Sequence, residues 1–558
     1  MTASISKAIA AKRSPGGWPW KTFSYAVAAV VLLPILVIFT QWATVGNGEQ
    51  EIWQHLFNTK LDRLLGNTLL LLVGVGIGVS LLGVSLAWLC SVCEFPGRRF
   101  FEWALMLPLA IPGYVMAFVF LGLLNYAGPV QSSLRSWFGS QVYFPDVQGA
   151  GAVIIVLTLV LYPYVYMLAR SAFVAQGRQL MDAGRILGQS YWKAFFRLAV
   201  PVARPAIVAG LALALMETLA DFGAVSVFNF DTFTTAIYDA WYGLFNLAVA
   251  AQLASLLLLF VAVVLVLEQK GRAQARYSQK NSQPMRAYRL TGGRAFAATG
   301  FCLMIFLLAF ILPLIQLLLW CLEVIAEELD RRYWGFLFNT LGLGFIAALA
   351  TTVFALVLAY VKRLPAKKAE KRWQNLVIRV STLGYALPGS VLAVGIILSF
   401  TYLDQLMIQS AQSLFSWNIR PFLVGSLSAL VLAYCTRFMA VAFAPLEAGF
   451  ERINPSIIEA AKSLGGSPGR LLRQVYVPLL RPGLFTALII VFVDVMKEMP
   501  ATLIMRPFGW DTLAVRIYQM TAEGQWERAS LPSVTLILLG LIPVFMLIRS
   551  ARPASLRV

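Results

Sequence analysis

The chain has 558 residues, of which 59% are hydrophobic and 13% charged; a soluble domain carries about 25% charged residues. That composition excludes a soluble domain with a tail, because apolar runs of about twenty residues, each long enough to cross a bilayer core, recur along the whole length. The net charge of +19 invites a nucleic-acid reading, but once spans are placed most Lys and Arg fall in loops on one side, while acidic residues outnumber basic ones on the other. This is the positive-inside pattern: the basic side is cytoplasmic, the partner is the lipid bilayer, and no nucleic acid is expected.

In chain order, the expected spans are 24–44, 68–92, 103–126, 151–174, 205–225 and 247–267, then 295–320, 339–361, 378–402, 421–445, 482–503 and 529–549. The fold class is an all-α polytopic membrane protein of about twelve helices, since a spanning segment must satisfy its own backbone hydrogen bonds. Residues 24–44 are too long for a typical signal-peptide core and lack a clear small-residue cleavage site, so they read as the first span. Between the two sets of six lies a polar linker, residues 268–294. Its seven basic residues and one acidic residue place it in the cytoplasm.

The two sets are repeats. Asn67-Thr68-Leu69 opens the second span and Asn339-Thr340-Leu341 the eighth. Pro112-Gly113 lies in the third and Pro388-Gly389 in the ninth. Gly188, Pro201 and Pro205 recur as Gly465, Pro478 and Pro482, all at one constant offset. Residues 1–267 and 295–558 are therefore two six-span repeats. An even number of spans makes them parallel, puts both termini in the cytoplasm, and creates a path between like halves.

Each repeat carries a basic, amphipathic loop between its fourth and fifth spans, at 175–205 and 447–481. In the second, Asn454-Pro455 reads as an N-cap with proline at the first helical position. Gly465 reads as the stop, and Ser467-Pro468 starts a second short helix. The first copy keeps Gly188 and Ser190 at matching places. Small residues at Ala183, Gly184, Ala460 and Ala461 let a partner surface approach. A single loop of this kind reads equally well as one resting on the membrane surface; two at one spacing point to two partner contacts.

These loops resemble the coupling loop of ABC importer permeases, in which E-A-A is followed by a glycine four residues later and an apolar-x-apolar-Pro ending. Glu459-Ala460-Ala461 with Gly465 and Val475-Tyr476-Val477-Pro478 fits closely. Asp182-Ala183-Gly184 with Gly188 and Leu198-Ala199-Val200-Pro201 is a looser fit. The resemblance implies that each loop inserts into a groove on one of two copies of a cytoplasmic ABC ATPase subunit. The chain has no G-x-x-x-x-G-K-[ST] phosphate loop, so it is expected to bind no cofactor and to have no ATPase site; ATP would be used by the partner.

Glu217 and Asp221 are spaced i, i+4, which predicts a shared helix face, and Asp494 and Glu498 repeat the pair at the same offset as the loops. Charges inside a membrane are costly and face a bundle interior or wet cavity, so both pairs are candidates for lining the path. They read either as oxygen guides for a hard cation or as structural groups paired with Lys497 or other buried polar atoms. Pro500 is expected to kink its helix and free a carbonyl near Glu498. His55 is the only histidine, so no histidine-based metal centre is expected, and no firm metal site emerges. Cys90 and Cys93 form a lone C-x-x-C at a helix end and read as packing.

The segments ADFGAVSVFNFDTFTTAIYDAW (220–241) and KEMPATLIMRPFGWDTLAVRIYQM (497–520) look like the ferric-iron branch of these permeases, which also fuses two six-span halves. The resemblance implies a multi-pass protein of the bacterial cytoplasmic (inner) membrane that works by alternating access. It also implies a periplasmic or surface solute-binding protein that delivers the ion, docking near 127–149, 226–246, 403–420 and 504–528. Two alternatives stand: an ABC permease for thiamine, a polyamine or a phosphonate, and a secondary transporter driven by an ion gradient. The duplicated coupling loop weighs against the second. No nucleophile–base set supports an enzyme.

Overall fold

The computed structural model describes residues 18–43, 46–140, 143–186, 188, 190–273, 288–364, 367–465 and 467–551; the side chains of 18, 47, 176–185, 191–192, 272–273, 468 and 547–551 lie outside that description. The principal helices are α1 (Trp18–Thr40), α2 (Leu61–Val92), α3 (Gly113–Leu124), α4 (Ala150–Ile186), α5 (Val200–Ala220) and α6 (Leu247–Ala273). They continue with α7 (Gly293–Glu328), α8 (Arg331–Arg363), α9 (Gly389–Phe415), α10 (Leu427–Glu451), α11 (Arg481–Lys497) and α12 (Ser530–Ala551). Among the described residues, ten helices are long and apolar enough to cross a membrane. The pair Gly469–Leu479 and Arg481–Lys497, bent by 77°, makes an eleventh, and the shorter apolar helix Ser530–Met546 occupies the place of the twelfth expected span. The protein is an all-α polytopic membrane protein. Its one strand pairing among the described residues joins only Cys93–Glu94 to Tyr288–Arg289.

The chain forms two compact units, neither of them a contiguous half. One comprises Met1–Val37, Leu341–Leu387 and Gly395–Met496; the other comprises Ile38–Thr340, Pro388–Val394 and Lys497–Val558.

In the larger unit α2 packs along α4 and α5. Sequence explains the closeness: Gly74, Gly78 and Gly83 lie along α2. A Cβ added to Gly78 would stand 2.4 Å from Thr158 Oγ1, and one on Gly83 would stand 2.6 Å from Val165 Cβ. Lipid gives no hydrophobic drive between helices, so close backbone approach over small residues has to hold them. Just past the middle of α4, Arg170 pairs with Glu102 at 3.0 Å, and Arg98 reaches the same carboxylate at 3.1 Å.

In the smaller unit Glu447, the repeat counterpart of Arg170, pairs with Lys362. Each repeat thus keeps an ion pair at this position with the signs exchanged. Past the middle of α9, Asp404 is buried, 2% exposed. Its carboxylate accepts amide protons from Phe422, Leu423 and Val424 at 3.1–3.3 Å. The loop 416–426 is folded back onto the helix by this one side chain, which supplies acceptors that a membrane-adjacent loop would otherwise lack.

Candidate functional site

The second loop folds as its sequence directs. Asn454 Oδ1 accepts from the Ser456 amide at 3.1 Å and opens the helix Pro455–Ser463. Gly465 ends it at φ +78°, a left-handed conformation that disfavours any residue with a Cβ. Ser467 Oγ then accepts from Arg470 N at 3.4 Å, and a π turn, Leu472–Tyr476, leads toward α11. No side chain of Pro455–Ser463 is buried. Glu459 and Ala460 are exposed and Ala461 half-exposed; Leu464, just beyond, is 87% exposed.

The first loop reproduces this geometry at every described landmark. Gly188 has φ +74°, Ser190 Oγ accepts from Lys193 N at 3.4 Å, and a π turn at Phe195–Ala199 falls at the position matching its counterpart in the second loop. One feature differs. With no Asn-Pro at the equivalent place, α4 runs unbroken from the apolar span to Ile186, a helix of 37 residues. The side chains of Asp182, Ala183 and Gly184 lie outside the described residues.

The carboxylate pairs are arranged differently from the shared helix face expected. α5 ends at Ala220, and Asp221 follows with extended backbone, φ −68° and ψ 125°. α11 ends at Lys497. Glu217 and Asp494 remain on their helices, half-buried, while Asp221 and Glu498 sit in breaks. A carboxylate that can accept several amide protons favours such a break, since it satisfies the donors at the start of the next helix. Asp221 Oδ1 accepts from Ala224 N at 2.9 Å and Val225 N at 3.1 Å, opening Gly223–Val227. Glu498 Oε1 accepts from Ala501 N at 3.0 Å, opening Pro500–Met505.

Pro500 therefore starts a helix rather than kinking one. Its missing N–H costs nothing at the first helical position. The carbonyls in the breaks are engaged too: Thr234 Oγ1 donates to Asp221 O at 2.7 Å and Thr502 Oγ1 to Glu498 O at 2.6 Å.

Both breaks belong to the larger unit and meet there. A Cβ on Gly223 would stand 2.5 Å from Tyr114 Cβ and 2.8 Å from Met499 Cε. A Cβ on Gly113 would stand 3.1 Å from Asp221 Oδ2. Lys497 Nζ donates to the carbonyl of Leu109 at 3.0 Å, in the turn just before Pro112-Gly113. So Pro112-Gly113-Tyr114, Asp221 to Gly223 and Lys497 to Pro500 form one junction. Beyond each break the chain returns to its own repeat: Asn67 Nδ2 donates to Asp231 O at 2.8 Å, and Asn339 Nδ2 to Asp511 O at 3.1 Å. That is the physical work of the asparagines that mark the repeat in the sequence.

The description "binding-protein-dependent transport system inner membrane component" belongs to a family profile that matches the chain twice, at residues 79–269 and 363–552. The chain belongs to this family. Each match holds one of the two repeated loops and one break, so this is a fused permease, a multi-pass inner membrane component. It is 28% identical to the Fe(3+)-transport system permease protein FbpB 2 of Haemophilus influenzae, over 95% of this chain and 97% of the relative. A putative ferric transport system permease protein, FbpB 1, of the same organism is 24% identical over 88% of this chain and 77% of the relative. The putative 2-aminoethylphosphonate transport system permease protein PhnV of Salmonella typhimurium is 27% identical over 47% of this permease and 96% of the relative.

Three residues of interest escape the sequence reading. Asp404 lies just past the expected ninth span and reads as a loop charge. Arg437 is buried within α10, 8% exposed; a count of charges inside the tenth span reveals it. Tyr114 carries no sequence signal beyond following Pro112-Gly113. Among the described residues, no group of three or more His, Cys, Asp or Glu is placed to hold a metal ion, and all five cysteines are buried and unpaired by disulfides.

Proposed function

We propose that this permease carries ferric iron into the cytoplasm, driven by ATP hydrolysed on two copies of a separate cytoplasmic ABC ATPase subunit. The observation that carries the substrate is the end-to-end match to a fused permease named for Fe(3+) transport. The chemistry of the junction agrees: Asp221 and Glu498 offer oxygen donors, which suit a hard cation. Loops 175–205 and 447–481 take the ATPase subunits, one each. Glu459, Ala460 and Ala461, with Asp182, Ala183 and Gly184, form the inserted faces, and Gly188 and Gly465 set the elbows. The exposed Ile457 and Leu464 supply apolar surface that a groove would cover. Glu217, Asp221, Asp494 and Glu498 line the path. A solute-binding protein delivers the ion on the opposite side, and the excess of basic residues in the linker and coupling loops sets both termini in the cytoplasm.

The half-length likeness to PhnV favours a phosphonate as the second reading, against which paired carboxylates at the junction argue, since they repel an anion. Uptake of radiolabelled ferric iron separates the two. It is measured in cells lacking this chain and any redundant iron importer, then in the same cells with the chain restored beside its ATPase. ATP-dependent restoration is the expected result. Unchanged iron uptake, with restored uptake of a phosphonate, thiamine or a polyamine, overturns the iron assignment and leaves the permease assignment standing.

A further inference from the structure

Within the larger unit, α12 packs against α7 and against the helix Leu513–Ala522, which follows the second break. With the first turn of α8 they border a cavity of about 110 Å³. The polar linker precedes α7, and α7 crosses once before it reaches the cavity at Glu327 and Glu328, so the cavity lies on the face away from the linker. Three arginines line it: Arg332, Arg516 and Arg528. Two are accounted for, since Arg528 pairs with Glu328 and Arg332 is exposed. Arg516 is not. It is half-buried, its guanidinium carbon stands 5.7 Å from the centre of the Phe336 ring, and its Nε is buried without a hydrogen-bond partner. No carboxylate pairs with it among the described residues. The acids nearby are otherwise placed: Glu328 is held by Arg528, Asp330 Oδ1 accepts from Tyr333 N at 2.8 Å, and Glu327 is exposed.

A buried donor on a charged group destabilises the fold when nothing accepts from it. The helix itself does not require this one. Thr232 and Thr512 stand at the N-caps of matching helices, and four residues on the first repeat has Ala236 where the second has Arg516. A methionine would cover Phe336 without the cost. We propose that the cavity is a binding site for a small organic acid, with Arg516 receiving its carboxylate. The planar guanidinium matches a carboxylate with two parallel donors, and Arg516 has its buried Nε free to give one of them. One water needs about 10–15 Å³, so the cavity admits a group of several heavy atoms and no part of a folded surface. Glu327 and Asp330 keep its lining acidic, which favours a singly charged acid over phosphate. The bound acid would tie the end of α7 and the first turn of α8 to the helix beyond the second break. This goes beyond the iron reading and does not rest on it, because the site takes an anion.

The test uses the full-length permease purified with its ATPase, without iron and without the binding protein, with lactate as the probe. Its thermal unfolding midpoint is followed at constant ionic strength. The midpoint should rise to saturation with lactate and stay level with phosphate or chloride. In Arg516→Gln the lactate concentration for half the effect should increase ~10-fold or more, the scale of a lost hydrogen bond to a charged group. Arg516→Lys, which keeps the charge but not the fork, should fall between. Met520→Phe fills the cavity from another side and leaves the arginine in place, so it too should remove the response. A wild type that does not respond overturns the proposal. So does a response that persists in Arg516→Gln or in Met520→Phe, which puts the acid elsewhere, or an equal response to phosphate, which ends the carboxylate assignment. If lactate does nothing and Arg516→Gln instead weakens binding of the solute-binding protein, the cavity belongs to the docking surface and the proposal falls. None of these outcomes depends on whether iron is the cargo.

Discussion

The two helix breaks reach one geometry by different means. In the first repeat Asp-Phe-Gly stands where the second has Glu-Met-Pro, so Gly223 corresponds to Pro500 at the offset that relates the two loops. Proline enforces a helix start covalently, by its fixed φ and missing N–H. Glycine enforces nothing. The first break is held by its surroundings: the approach of Tyr114 over a position with no Cβ, and a carboxylate that accepts the amide protons of Ala224 and Val225. The two repeats thus keep backbone geometry more strictly than the residues that produce it, and the first break is the one its side chains can undo.

The largest expected effect follows from that dependence. Gly223→Leu drives a Cβ to within 2.5 Å of Tyr114 Cβ and should abolish assembly of a monodisperse complex in detergent, whereas Pro500→Leu should leave an extractable protein. Size-exclusion profiles of the two decide it; equal profiles would remove the asymmetry.

Glu459→Arg comes next. It should abolish ATP-dependent uptake and weaken ATPase association, with the fold intact, because no side chain in that helix is buried. Full uptake would end the coupling role of that residue.

Smaller is the difference between caps. Asp221→Ala should lower stability by about 1–2 kcal/mol, the upper range for a lost cap, and Glu498→Ala by less, because Pro500 still starts its helix. Thermal unfolding of both variants in one detergent gives the order, and the reverse order would contradict it.

Smallest is the pair at the elbows. Gly188→Ala and Gly465→Ala should each cost about 1 kcal/mol for a left-handed residue with a Cβ. Yet they should affect uptake unequally. The first loop is continuous with α4, so strain there passes into the span; the second is hinged at Asn454-Pro455 and absorbs it. Uptake rates for the two single variants measure this.

Much of the fold is legible in the sequence for simple reasons. Apolar length marks a span wherever it occurs, and Asn454-Pro455, Gly465 and Ser467-Pro468 are local instructions that need no tertiary partner, so the second loop folds as read. The shared-face reading of Glu217 with Asp221 and of Asp494 with Glu498 fails because a helix that should continue on propensity stops at Ala220 and Lys497. Pro500 signals the second stop. Nothing local signals the first, since Asp221 and Gly223 sit comfortably in many contexts.

By itself, then, the sequence determined what depends on composition, periodicity and neighbours a few residues apart: a polytopic helical protein, its duplication and the elbows of the loops. The tertiary structure alone decided which residues from distant segments share the junction. Tyr114, Gly223 and Met499 are brought together by the packing of segments far apart in the chain. Whether a buried hydroxyl finds a partner, or an amide an acceptor, depends on atoms that only that packing supplies.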